Sequence, residues 1–120
     1  MATRRWQGGW LGAAHARALM AGVTLAWAAP AAAQETPATA LLREGIELRR
    51  AGRDAEALAR FERAHAVEPS PRTLAQMGLA EQALGRWVRA EAHLRAALAP
   101  RDDAWIERNR AALDAARGCW

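Results

Sequence analysis

Residues 41–64 read LLREGIELRRAGRDAEALARFERA, and residues 74–97 read LAQMGLAEQALGRWVRAEAHLRAA. Laid over each other at an offset of 33 residues, they match Leu41 with Leu74, Gly45 with Gly78, Gly52 with Gly85, Ala57 with Ala90, Phe61 with Leu94 and Ala64 with Ala97. No gap is needed. Self-similarity at a fixed period of this size is the sequence sign of a stacked repeat, each unit one supersecondary element.

Outward from these stretches, the punctuation divides each unit into two helices. Thr36-Pro37 and Ser70-Pro71 are N-cap and first-position pairs: the hydroxyl accepts from a free amide, and proline's missing donor costs nothing there. Gly52 and Gly85 stop the first helix of each unit, because glycine enters the left-handed conformation cheaply. Asp54 is placed to cap the next helix, which the pattern carries to about Val67, ahead of Glu68-Pro69. In the second unit that helix spans Trp87 to Leu98 and stops before Pro100. Gly45 and Gly78 sit inside helices, where glycine costs about 1 kcal/mol relative to alanine. Close approach of the neighbouring helix at Ala57 or Ala90 would explain them. Tyr is absent and Phe, Val, Ile and Thr are scarce, while alanine and arginine favour helix, so no strand is predicted.

These positions resemble the tetratricopeptide repeat family. Its pattern reads Leu41, Gly45, Ala57, Phe61, Ala64 and Pro69 in the first unit and Leu74, Gly78, Ala90, Leu94 and Ala97 in the second. The resemblance covers residues 38–103. It implies an all-α fold, a short right-handed solenoid of two helix-turn-helix repeats, over residues 38–70 and 71–103. Glu44 and Glu81 depart from the pattern, standing where large apolar residues are usual. A third helix opens at Asp102 or Asp103 and passes through Trp105, Ile106, Ala112, Leu113 and Ala116 to Gly118. Glu107 occupies the Leu41/Leu74 position, so residues 104–120 read as a capping helix and tail. The segment DDAWIERNRAAL (102–113) is similar to the spacer after such repeats in larger exported bacterial proteins, which implies a shortened relative of them. Two repeats and a cap fall short of the three that usually stabilise a solenoid, so the expectation is either a marginal monomer or one that completes its stack by self-association.

Residues 1–17 carry Arg4, Arg5 and Arg17 and no acid, and a 16-residue apolar run follows from Ala18 to Ala33. A basic start, a short apolar middle and the Ala31-Ala32-Ala33 end are the three parts of a secretory signal. Residues 1–33 are therefore expected to be cleaved before Gln34, leaving a lead-in at 34–37 and no stable membrane span. The run is shorter than the roughly 20 apolar residues of a spanning helix and is broken by Pro30. The expected destination is the periplasm or cell exterior of a bacterium. Thr3-Arg4-Arg5-Trp6 only faintly matches a twin-arginine signal.

The charge follows the same division. The formal net charge of +4 comes entirely from arginine on the basic side, since lysine is absent. Three of the 17 arginines lie in residues 1–33, leaving 14 against 13 acids and a net +1 beyond it. Nucleic acid is therefore not an expected partner. Arginine-mediated binding of an anionic surface, nucleic acid or membrane, remains the alternative function and predicts steep salt dependence.

The inventory for catalysis is small. His65 and His93 occupy unequal repeat positions and read as partly exposed helix residues. Ser70 is explained by capping, and no glycine-rich phosphate loop is present. No cofactor, metal or enzymatic activity is expected. Glu56–Arg60 and Glu91–Arg95 have the i,i+4 spacing of surface pairs. Cys119 reads as a terminal thiol, an intermolecular disulfide being its alternative. Trp87 and Trp105 read as packing residues, and Trp120 as frayed.

What the resemblance implies about function is protein binding. In the family the first helices line a concave groove for a peptide or partner protein. Carried over, the groove presents Thr39, Leu42, Arg43, Ile46, Arg49 and Arg50 from the first unit and Arg72, Ala75, Gln76, Leu79 and Gln82 from the second. Arginines around an apolar patch suit a carboxylate-bearing partner, because the guanidinium fork binds carboxylate through two bonds.

Overall fold

The computed structural model describes residues 34–118 together with Gly22. The segment expected to be an export signal, apart from Gly22, and the terminal Cys119 and Trp120 lie outside the described residues. The fold is all-α, with five helices in chain order: α1 (Pro37–Arg50), α2 (Asp54–Val67), α3 (Pro71–Ala83), α4 (Trp87–Leu98) and α5 (Ala104–Arg117). α1 packs along α2 and α3 along α4, while α2 also packs on α3 and α4 on α5.

Three helix starts use the caps that the sequence offers. Thr39 N donates to Thr36 Oγ1 at 3.1 Å, Thr73 N to Ser70 Oγ at 3.1 Å, and Ile106 N to Asp103 Oδ1 at 2.9 Å. Asp54 is not a cap. It is the first residue of α2, and Arg53 before it makes no side-chain capping bond. The geometry of the preceding turn explains this. Gly52 has φ +74 and Gly85 φ +71. In the first turn Gly52 N donates to Arg49 O and Arg53 N to Leu48 O; Gly85 N to Gln82 O and Arg86 N to Glu81 O repeat the arrangement 33 residues on. This is the paired-bond stop with a left-handed residue after the C-cap. It makes Arg53 and Arg86 at once the end of one stop and the residue before the next helix. Asp54 Oδ1 instead lies 3.6 Å from Arg49 Nε.

Equivalent positions do equivalent work in the two hairpins. Ala57, Phe61, Ala64, Ala90, Leu94 and Ala97 are all fully buried, while Leu41 and Leu74 are half-buried. Gly45 is explained by the Phe61 ring rather than by Ala57, and Gly78 by Leu94 together with the expected approach of the Ala90 backbone. A Cβ on Gly45 would run into the Phe61 ring, and one on Gly78 would lie 2.7 Å from Leu94 Cγ and 3.2 Å from Ala90 O. Burying Phe61 in that notch contributes about 1.5–3 kcal/mol.

The core does not divide at the boundary between the repeats. Met77 and Ala80 of α3 join Leu42, Ala57, Leu58, Phe61 and Ala64 in one apolar cluster. Ala75 of the same helix joins Leu94, Ala97, Leu98, Ile106 and Leu113 in the other, and Leu74 touches both. α3 is thus enclosed on most of its circumference. Helix α5 covers the second cluster with Ile106 and Leu113 and is tied by polar bonds from its middle and at its C-terminal end. Arg110 donates to Leu98 O and Pro100 O at 3.0 Å each, closing the end of α4, where no glycine stop exists. Gln82 Nε2 donates to Ala116 O at 3.0 Å, closing the end of α5.

Two surface readings change. Glu91–Arg95 forms at 2.7 Å, but Glu56 pairs with Arg53 and Arg60 reaches Glu44 on α1 at 3.2 Å. Trp105 packs against the second cluster, whereas Trp87 is half-exposed.

Candidate functional site

The groove residues come together over α1 and the start of α3. Thr39, Leu42, Arg43, Ile46, Glu47 and Arg50 of α1, with Glu35 before it and Arg72 on α3, surround a hollow of about 290 Å³. A second hollow of about 360 Å³ is bounded by Ile46, Arg49, Arg50 and Gln76. Ile46 and Arg50 belong to both, so the two form one strip with an apolar floor and arginines along its walls.

The four arginines are held differently. Arg43 Nε donates to Glu35 Oε1 at 3.0 Å and Nη2 to Oε2 at 3.4 Å, a bond that raises the guanidinium still further above its ordinary range. Arg50 meets Glu47 at 2.6 Å. Arg49 Nη1 donates to Gln76 Oε1 at 3.2 Å, which fixes its side chain between α1 and α3. Arg72 stacks over Trp105, its guanidinium carbon 5.4 Å from the ring centroid. That contact orients the charge without neutralising it, and no carboxylate among the described residues pairs with it. Glu35, Asp54 and Glu47 therefore answer Arg43, Arg49 and Arg50, and Arg72 is left as the surplus positive charge.

Not every expected groove residue lies here. Ala75 is fully buried in the second cluster, Leu79 packs against that cluster, and Gln82 is bonded to the end of α5. Leu42, only 8% exposed, is core as much as floor. The last turn of α3 is covered by α5, so the capping helix takes the positions that the repeat pattern alone leaves open.

One polar site was not read from the sequence. Glu81 is fully buried on α3, and its Oε2 lies 2.6 Å from His93 Nδ1 on α4, while Oε1 has no hydrogen-bond partner among the described residues. The clue was in the repeat. Thirty-three residues earlier stand Leu48 and Arg60, and Arg60 takes its carboxylate from Glu44, one turn before Leu48. In the second hairpin Met77 replaces that acid and Glu81 supplies it one turn later, inside the core. Among the described residues no group of three His, Cys, Asp or Glu could hold a metal ion. None of the described helices is long and apolar enough to cross a membrane.

No protein-family model, curated protein or solved structure matches this chain.

Proposed function

We propose that the chain is an exported, non-catalytic interaction module of the tetratricopeptide-repeat type, binding an acidic segment of a peptide or partner protein along the α1/α3 strip. The observation that carries this reading is Arg72, a cation oriented by Trp105, unmatched by a carboxylate, and set beside an apolar floor. The matched placement of Gly45 and Gly78 against Phe61 and Leu94 supports the repeat assignment. The basic, apolar and Ala-x-Ala segments of residues 1–33 support export. Apolar side chains of the ligand would lie on Ile46, and its carboxylates on Arg72 and Arg50.

Fluorescence anisotropy with labelled peptides that combine Asp or Glu with one large apolar residue tests this. Arg72→Ala and Arg50→Ala should each weaken binding about tenfold, the equivalent of about 1.4 kcal/mol. Unchanged affinity in both variants overturns the groove. Binding to polyanions or anionic vesicles that falls steeply with salt, and survives both substitutions, favours the alternative of an arginine-mediated binder of anionic surfaces.

A further inference from the structure

The first hairpin is an internal control for what the fold requires of the second. α2 begins with Asp54 and Ala55, whereas the positions 33 residues later, at the start of α4, are Trp87 and Val88. Both side chains of this exchange face solvent: Val88 is 86% exposed and Trp87 49%. The same face of α4 continues through Glu91, the exposed Ala92 and Arg95, and these five residues bound a shallow hollow of about 450 Å³. A solvent-facing apolar patch rimmed by charge marks an interaction surface.

We propose that this face of α4 docks a second copy of the chain, the two α4 helices running antiparallel about a two-fold axis. Charge complementarity selects that occupant. Glu91 and Arg95 lie one turn apart on the face and bond to each other at 2.7 Å. A two-fold axis passing between them sets Glu91 of each copy against Arg95 of the other, so both pairs are satisfied across the interface. Such self-complementarity is what an isologous contact demands. The first hairpin lacks it, carrying Leu58 and Glu62 at those positions. Ala92 and the exposed Ala99 admit close approach, and Val88 of each copy lies over Ala99 of the other. One helix pair is a small interface beside the roughly 1,200–2,000 Å² of stable complexes, so the dimer is weak and concentration-dependent.

Sedimentation velocity of the full chain, with reductant to keep Cys119 out of disulfides, tests the proposal. Between about 1 μM and 1 mM, the span of weak association, the sedimentation coefficient of the native chain should rise toward that of a dimer. Glu91→Arg and Arg95→Glu should each sediment as monomers, because like charges then face each other twice. Their equimolar mixture should recover the dimer, since opposite charges meet at both contacts. Val88→Asp, at a position the core does not use, should also remain monomeric, with helicity checked by circular dichroism. A native chain that stays monomeric throughout overturns the proposal and assigns the face to another partner. Association unaffected by the charge variants, as through residues 1–33, overturns it as well. Monomeric single variants whose mixture does not recover overturn the two-fold arrangement.

Discussion

His93 Nδ1 lies 2.6 Å from Glu81 Oε2 and ties α4 to a carboxylate on the most enclosed helix of the fold. A buried carboxyl depends on its hydrogen-bond partner, and leaving a buried polar group unsatisfied costs about 1–3 kcal/mol. His93→Ala should therefore lower unfolding free energy by about that amount. Glu81→Leu, which restores the residue type of Leu48, should leave stability unchanged or raise it, because it removes a polar group from the core and leaves His93, 28% exposed, to water. Urea unfolding of both variants checks the pair. A His93→Ala chain as stable as the native one would show that Glu81 is satisfied without the imidazole.

Phe61 fills the space that a side chain at position 45 would need. Gly45→Ala gains about 1 kcal/mol of helix propensity and meets overpacking of about 1–3 kcal/mol. Phe61 is fully buried and has nowhere to retreat, so a net loss is expected. A denaturation midpoint equal to or above the native value refutes this packing account.

At Gly52 and Gly85 the argument is conformational alone, since a Cβ on either meets nothing within 4 Å. Alanine there should cost roughly 1–2 kcal/mol for the left-handed backbone, and asparagine less, because asparagine tolerates that region. Thermal melts of the four variants should order glycine above asparagine above alanine at both positions. Equal melting temperatures for glycine and alanine would contradict the observed φ values.

The Arg110 guanidinium, by its hydrogen bond above all, holds the Glu107 carboxyl below the ordinary glutamate range, with the charges of Arg110 and Arg101 adding to the effect. A depressed folded value means that Glu107 contributes stability above the unfolded value of about 4.3, and that this contribution fades as pH falls through the lower folded value. Glu107→Gln should therefore remove a small part of the stability at neutral pH and flatten the acid limb below about pH 4. Stability measured from pH 7 to 3 reads this directly. An unaltered acid limb in the variant would mean that other carboxylates dominate it.

Helix limits were legible because proline, glycine and hydroxyl residues act on the backbone of their neighbours: α2 ends at Val67 and α4 spans Trp87–Leu98, both as the pattern predicts. What the sequence hid was long-range. Nothing local tells that Gln82 spends its amide on Ala116 or that Arg110 spends its guanidinium on Leu98 and Pro100. Periodicity places Gln82 on the exposed side of α3, and only the seating of α5 removes it from the strip. Glu81 was visible as a departure from the repeat, but its partner depends on which turn of α4 it faces. Trp87 shows the opposite limit, for a large apolar residue at a helix start reads as core, yet its side chain is half-exposed.

Arg53 and Arg86 each close one helix and open the next, so neither hairpin holds a spare residue in its turn. One inserted residue would rotate everything after it by about 100° about the helix axis and swing Phe61 or Leu94 out of its glycine notch. These turns need glycine at positions 52 and 85 and resist changes of length. The 33-residue spacing is therefore a mechanical dimension of the molecule, inherited whole or lost with the packing it sets.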